Sequence, residues 1–174
     1  MTKRRPATLL LSVRPRYVSL MVAGEKTVEI RRVRPTAEPG ALVLIYATAP
    51  TREVVAAGVL DGMVSGGADR LWGHFGRQTC LTRQAMRDYL RGASRPTALL
   101  LRTVEPLTAP ISLANLQLSI PDFRPPQSYR FLSRELLRRL DLPGSHESQE
   151  STHLRRADVA TDTARSVSQA SSAL

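Results

Sequence analysis

The residues best suited to chemistry lie in one short segment that combines a lysine, a carboxylate and an arginine. Lys26, Glu29 and Arg31 follow Gly24 within eight residues. Alternation along a strand places Glu29 and Arg31 on one face and apolar residues on the other. An ammonium and a guanidinium suit phosphate, while a carboxylate suits base recognition or general acid–base catalysis. The segment predicts a polar ligand site over an apolar core.

Four further residues are predicted to contribute to ligand binding. Arg14 precedes the first predicted helix and is a second candidate for phosphate contact. Tyr46 can stack on a base or donate its hydroxyl, and alternatively it belongs to the core. Gln127 and Ser128 follow two prolines, so a stiff loop presents their amide and hydroxyl; alternatively, Ser128 caps the last helix.

If the protein is an enzyme, Lys26 and Glu29 are the predicted catalytic residues. A structural alternative is that the charged residues form ion pairs at an exposed rim, where each pair contributes roughly 0–1 kcal/mol. Cys80 is a lone cysteine, and the three histidines show no ligand spacing with carboxylates. We therefore expect no metal and no cofactor.

The charge distribution indicates a partner rich in phosphate. Residues 1–142 hold 22 Lys and Arg against 11 Asp and Glu, a net charge of +11, whereas residues 143–174 hold 3 against 4. Such an excess of positive charge favours RNA or a nucleotide as partner. A compositional preference for arginine is the alternative, although it does not by itself create an excess over acidic residues.

Short strands separated by Pro and Gly predict a curved sheet with flanking helices. Strands are expected over 9–13, 26–33, 41–47, 53–65 and 97–104, with bulges or bends at Gly58 and Gly62. One helix is expected between Pro15 and Gly24, and two more are expected to be capped by Asp69 and Thr82.

Further elements are predicted for the C-terminal half of the chain. Ala85 and Tyr89 are expected on the buried stripe of the Thr82 helix, and residues 115–126 are expected to be mostly loop. A last helix is predicted over 128–140, with an arginine row that is either solvated or lies along a phosphate backbone; it consists of Arg130, Arg134 and Arg138.

The chain is predicted to form one domain over residues 1–142, followed by a disordered tail over 143–174 that is too polar to bury a core. No run of about 18 uncharged apolar residues is present, so no membrane span is expected. The N-terminal apolar run is shorter than the roughly 7–15 residues of a signal peptide, which predicts a cytoplasmic protein.

The sequence resembles the ASCH domain family. The resemblance rests on the G-x-K-T-x-E-x-R pattern over 24–31 and continues through Ile45-Tyr46-Ala47 with Pro50, Leu71-Trp72 and the element 125–129. It implies an α+β fold built on a small PUA-like β-barrel, with a cleft beside the first helix. It also implies RNA, nucleotides or modified nucleosides as ligands.

The resemblance leaves binding and catalysis open. The deacylating branch of the family uses a threonine three residues after the lysine as nucleophile, and here that position is Glu29. Ribonuclease activity is also known in the family. We therefore expect an RNA- or nucleotide-binding protein; the alternatives are a hydrolase acting on RNA or a modified nucleoside in the same cleft, and an adaptor that binds acidic proteins. The sequence does not define the oligomeric state.

Overall fold

The computed structural model describes residues 8–142 of the 174-residue chain. One sheet of six strands forms the frame, in the order β2-β5-β4-β3-β1-β6, and only the pair β1–β3 is parallel. The strands are β1 (Thr8–Val13), β2 (Val28–Arg31), β3 (Leu42–Ala47), β4 (Glu53–Ser65), β5 (Thr97–Ser112) and β6 (Tyr129–Leu132). The helices are α1 (Pro15–Val22), α2 (Ala68–Thr79), α3 (Arg83–Leu90), α4 (Leu113–Ser119) and α5 (Arg134–Arg139).

The sheet curls into a half-barrel, and side chains tie its two ends together. Arg31 Nη2 on β2 donates to the carbonyl oxygen of Ser12 on β1 at 2.9 Å, although three strands separate β2 from β1 in the sheet. The hydroxyl of Tyr129 on β6 donates to the carbonyl of Arg34, just beyond β2, at 3.3 Å. The first bond places Arg31 where β2 approaches β1 across the nearly closed sheet; we call this junction the seam.

The bends of the long strand β4 occur where glycine was predicted to permit them. The pairing of β4 with β5 shifts between Ala57 and Val59 and again between Leu60 and Gly62. An extra residue on one strand bends the ladder and increases its twist. The backbone at Gly58 also lies very close to β5, because a Cβ at this position would be 2.8 Å from Val104 Cγ2.

The core lies on both faces of the sheet, which explains why β1 is buried at every position. Leu9 and Leu11 pack into a cluster with Met21 of α1, whereas Leu10 packs with Leu116 and others on the opposite face. A third cluster covers the apolar face of β2 with residues of α2 and α3 and includes Val28, Ile30, Leu71, Met86 and Leu90. The predicted division of β2 into an apolar and a charged face is therefore present.

Two predictions for the C-terminal half are wrong. The segment predicted as loop contains α4, whose first turn is capped by Ser112 Oγ accepting from the Asn115 N–H. The helix predicted over 128–140 is instead β6 followed by α5, which Ser133 caps. Ser128 therefore caps no helix, and the arginine row is interrupted because Arg130 lies on a strand.

The two middle helices pack differently from expectation in two details. Gly67, not Asp69, is the N-cap of α2; the Asp69 carboxylate instead accepts hydrogen bonds from Arg83 and Arg87 of α3 at 2.8 Å. Thr82 caps α3 as predicted. Ala85 and Tyr89 are exposed rather than buried.

No helix in residues 8–142 is both long and apolar enough to cross a bilayer. The tail predicted over 143–174 lies outside the described residues.

Candidate ligand-binding site

A buried chain of three charges lies at the junction of α2, β2 and β1. Lys26 Nζ is 3.1 Å from Glu29 Oε2, and Arg31 Nη2 is 3.3 Å from Glu29 Oε1. The side chains of Lys26, Glu29 and Arg31 are only 2%, 11% and 5% exposed. Two cations thus hold one carboxylate in an environment largely shielded from water, which is not the exposed rim network considered as an alternative.

Lys26 is fully engaged within the protein. Besides Glu29, its ammonium donates to the carbonyls of Val28 at 2.8 Å and Thr79 at 2.7 Å. An ammonium has three protons, so all three have acceptors. Thr79 ends α2, where unpaired carbonyls and the helix dipole favour a cation. Lys26 therefore joins the end of α2 to the start of β2 and fixes the position of Glu29.

Arg31 is less completely satisfied than Lys26. Nη2 binds Ser12 O and Glu29, but the buried Nε has no hydrogen-bond partner among residues 8–142. The hydroxyls of Ser12 and Ser128 are also buried without a partner in this part of the chain. These residues are neighbours, because Ser12 N–H donates to the Ser128 carbonyl at 3.2 Å. Buried polar atoms normally have partners, so this group is suited to bind a polar ligand atom.

The charged chain lines a cavity of about 610 Å³, within the range of small-molecule sites. Its walls come from β1, α1, β2, α3 and the segment before β6. The lining residues are Ser12, Val13, Arg14, Arg16, Tyr17, Lys26, Glu29, Ile30, Arg31, Thr48, Leu81, Ala85, Asp88, Tyr89, Pro126 and Gln127.

The cavity brings together most of the residues selected from the sequence. Arg14, Lys26, Glu29, Arg31 and Gln127 all line it. Neither the side chain of Arg14 nor that of Gln127 contacts a partner within residues 8–142, so both are available to a ligand.

Tyr46 and Ser128 lie beside the cavity rather than in its lining. Tyr46 is the register partner of Ser12 on the adjacent strand, and Ser128 follows Gln127 directly. Tyr46 packs in the core cluster that contains Leu10, as the alternative interpretation expected. Burial raises the pKa of the Tyr46 phenol, and the positive charge of Arg52 partly opposes this rise. The phenol therefore stays protonated at neutral pH.

Sequence reasoning missed Ser12, Tyr17 and Tyr89. Ser12 is a polar residue inside an otherwise apolar strand, and this interruption was the available signal. The helical spacing of Tyr17 and Tyr89 fits a buried core position as well as it fits a position on the cavity wall, so this spacing did not reveal them as site residues. The Tyr17 ring lies beneath two cations, with Arg16 Cζ at 4.6 Å and Lys26 Nζ at 5.2 Å from its centroid.

No group of three His, Cys, Asp or Glu side chains within residues 8–142 is arranged to hold a metal ion. His74 bonds the Arg70 carbonyl through Nδ1 at 2.8 Å within α2 and does not line the cavity.

Comparison with known proteins gives a consistent assignment. The family model of the ASCH domain matches residues 11–105. An ASCH domain-containing ribonuclease from Zymomonas mobilis subsp. mobilis is 37% identical over 131 residues, covering 75% of this chain and 88% of that protein.

Solved structures agree with the sequence match. The crystal structure of ASCH from Zymomonas mobilis superimposes with a TM-score of 0.72 at 36% identity, covering 78% of this chain and 94% of the other. A serine-to-alanine variant of that protein gives 0.73 at 34% identity, with 80% and 97% coverage. The predicted α+β, PUA-like fold with a small curled barrel and flanking helices is confirmed. The chain belongs to the ASCH domain family.

Proposed function

We propose that this protein binds RNA in the cavity beside Arg31 and cleaves it there, acting on cytoplasmic RNA. The observation that carries the binding step is a group of buried donors that have no partner within residues 8–142, formed by Arg31 Nε and the hydroxyls of Ser12 and Ser128. A guanidinium with adjacent hydroxyls matches the oxygens of a phosphodiester. The cleavage step is supported by the Zymomonas relative, which is named a ribonuclease.

The electrostatics of the site favour an anion over a neutral ligand. Arg14, Arg16 and Arg31 line the cavity, and the chain carries a formal charge of +10. Clefts lined by one sign of charge concentrate the oppositely charged ligand. The lining also contains two carboxylates, and both are paired: the oxygens of Glu29 face Lys26 and Arg31, and Asp88 pairs with Arg91 at 2.7 Å.

The buried ion pairs also point to function. Well-packed hydrophobic residues often replace a buried ion pair at no loss of stability, so such a pair is weak evidence for a purely stabilising role. Here the pairs fix the guanidinium of Arg31 at the cavity wall. We therefore assign Lys26 and Glu29 to positioning Arg31, rather than to direct proton transfer.

Phosphodiester cleavage develops negative charge on the phosphate oxygens, and preorganised donors stabilise that charge. Arg31 is the group we propose for this task. Tyr46 and Ser128 are the proposed proton-transfer groups, because the backbones of both residues adjoin Ser12 and the Tyr46 phenol is neutral at physiological pH. In this step the 2′-hydroxyl oxygen of the RNA bonds to phosphorus as the P–O5′ bond breaks. The Ser128 hydroxyl relays the proton of the 2′-hydroxyl to water, and the neutral Tyr46 phenol gives its proton to the leaving 5′-oxygen.

The experiment is a combined shift and integrity assay on end-labelled single-stranded RNA, run both with added Mg²⁺ and with a metal chelator. Wild type is compared with Tyr46→Phe and with Phe131→Leu. The second variant is the control, because Phe131 is an exposed residue of β6 outside the cavity lining. We expect wild type and the control to bind and cleave. Tyr46→Phe is expected to bind within about two-fold and to cleave about 100-fold more slowly, the usual size of a proton-transfer contribution.

The outcomes separate the two steps. Binding without cleavage by the wild type would retain RNA binding and reject the ribonuclease step. Absence of both binding and cleavage would reject the proposal. Unaltered cleavage by Tyr46→Phe would remove Tyr46 from the mechanism.

A further inference from the structure

Tyr89 is an exposed aromatic residue on the wall of the cavity, and its side chain is not used by the described part of the chain. Its side chain is 39% exposed, and within residues 8–142 neither its ring nor its hydroxyl has a partner. The main chain at this position is anchored, since Arg32 Nη1 donates to the Tyr89 carbonyl. A fixed backbone thus presents a free aromatic face to the cavity.

The geometry of α3 explains why Tyr89 is directed away from the core. Met86 and Leu90 are the buried residues of this helix, so its core-facing stripe excludes residues 85 and 89. Residues 85 and 89 are one helical turn apart and both line the cavity. A helical side chain lies over the turn that precedes it. The small side chain of Ala85 therefore leaves room for a flat group beside the Tyr89 ring.

The cavity lining divides into two chemically different parts. Ile30, Leu81, Ala85 and Tyr89 supply the apolar and aromatic part of the wall next to α3. Asp88 of α3 also lines the cavity, where its carboxylate is paired with Arg91 at 2.7 Å. The cationic and hydroxyl groups come from other elements, with Ser12 on β1, Arg14 and Arg16 at the start of α1, and Arg31 at the end of β2. A nucleotide has the same division, with an apolar base face joined to an anionic phosphate.

We propose that Tyr89 is the stacking platform of a base-binding subsite, so that the cavity takes one unpaired nucleobase while its phosphate contacts the arginines. This inference rests on the proposed function for the identity of the ligand, and it adds that the RNA must be single-stranded at the bound position. A paired base is unavailable for such stacking, because both of its faces are covered by neighbouring bases. Stacking on tyrosine also requires no particular base, so the subsite discriminates pairing state more than sequence.

The test measures the affinity of wild type, Tyr89→Ala and Tyr89→Phe for one RNA oligomer offered as a single strand and as a perfect duplex. Phe131→Ala is the matched control, because Phe131 is similarly exposed at 37% but lies on β6 outside the cavity lining. Affinity is read by fluorescence anisotropy. Quenching of a 2-aminopurine base in the single strand reports stacking directly.

We expect Tyr89→Ala to weaken single-strand binding by about ten-fold and to abolish the quenching, since one stacked base is worth about that factor or more. Tyr89→Phe keeps the ring and is expected to stay within about two-fold of wild type. The salt dependence of binding should be the same in all three proteins, because the phosphate contacts are kept. Duplex RNA should bind more weakly and should not respond to Tyr89→Ala.

Failure of this inference differs from failure of the proposed function. If wild type binds single-stranded RNA, but Tyr89→Ala matches it in affinity and in quenching, the stacking subsite is rejected and RNA binding stands. Equal loss in Phe131→Ala would also reject it, because the effect would not depend on the cavity. A wild-type protein that binds neither RNA form would reject the proposed function itself.

Discussion

At the scale of single residues, the site depends on whether each charged group has used its hydrogen-bonding capacity. Lys26 has three acceptors for its three protons, whereas Arg31 retains a buried donor that no described residue accepts. The sequence identified both residues from their type and spacing. It could not separate their roles, because the acceptors of Lys26 include the carbonyl of Thr79, which is 53 residues away in the chain.

Replacing Lys26 by Met tests the positioning role. The substitution preserves much of the side-chain volume but leaves Glu29 with one cation and leaves two carbonyls without their donor. We expect a loss of about 3 kcal/mol in the free energy of unfolding, measured by urea denaturation, because breaking one partner of a buried pair has that typical cost.

Arg139→Met is the control for Lys26→Met, since Arg139 forms an exposed pair with Glu135 at 2.7 Å. Its loss should cost less than about 1 kcal/mol. A similarly small decrease in the free energy of unfolding for both variants would show that Lys26 does not stabilise the junction of α2 and β2.

Titration of Tyr46 gives a test based on pH. Burial raises the pKa of its phenol above 10.0, so the folded protein favours the neutral form. The corresponding stability is fully present below pH 10.0 and is lost as the pH rises through the higher pKa of the folded state. Spectrophotometric titration should show one late-titrating tyrosine that is absent in Tyr46→Phe. An unchanged late phase in that variant would assign it to another tyrosine.

At the scale of elements, the sequence predicted correctly those strands and helices that are defined by nearby residues, such as a helix cap or an apolar run. Strand β4 runs from Glu53 to Ser65 as predicted, and helix α3 begins after its Thr82 cap. The last predicted helix was wrong because Leu132, Leu136 and Leu140 have helical spacing, yet Leu132 pairs with Thr8 across the sheet. The sequence of β6 gives no local signal for this pairing, because its partner strand β1 lies more than 110 residues earlier in the chain.

Two glycines of β4 give a matched test of the bends. A Cβ at Gly58 would lie 2.8 Å from Val104 Cγ2 and 3.3 Å from the Arg102 carbonyl, whereas a Cβ at Gly62 would meet nothing within 4 Å. We expect Gly58→Ala to lower the free energy of unfolding by about 1–3 kcal/mol through overpacking. Gly62→Ala should be close to neutral. The reverse order in thermal or urea unfolding would contradict the described packing of β4 on β5.

At the scale of the whole molecule, the cavity forms because the curled sheet brings β2 close to β1. Arg31 reaches Ser12 across the seam, and Ser12 in turn bonds Ser128, so residues far apart in the chain share one wall. The charge excess in the sequence predicts the same class of ligand that we propose for the cavity. The cavity itself was not predictable in detail, because its aromatic wall on α3 and its hydroxyl floor on β1 come together only through the curl of the sheet.

The measurement that tests the account most directly is the affinity of Arg31→Gln and Arg31→Lys for single-stranded RNA at several salt concentrations. The control is Arg102→Gln, which removes the same charge from an exposed pair with Asp61. Thermal unfolding of each variant confirms that it is folded. Arg31→Lys keeps the charge opposite Glu29 while removing Nε, so it reports on the donor even if Arg31→Gln is unstable.

We predict that Arg31→Gln binds at least about ten-fold more weakly than the control and that the slope of log affinity against log salt falls by about 0.7, the value for one phosphate contact on a single strand. Arg31→Lys should be intermediate in affinity and should keep the slope. Folded Arg31 variants that bind RNA as tightly as Arg102→Gln, with the same salt dependence, would contradict the assignment of this cavity as the RNA site.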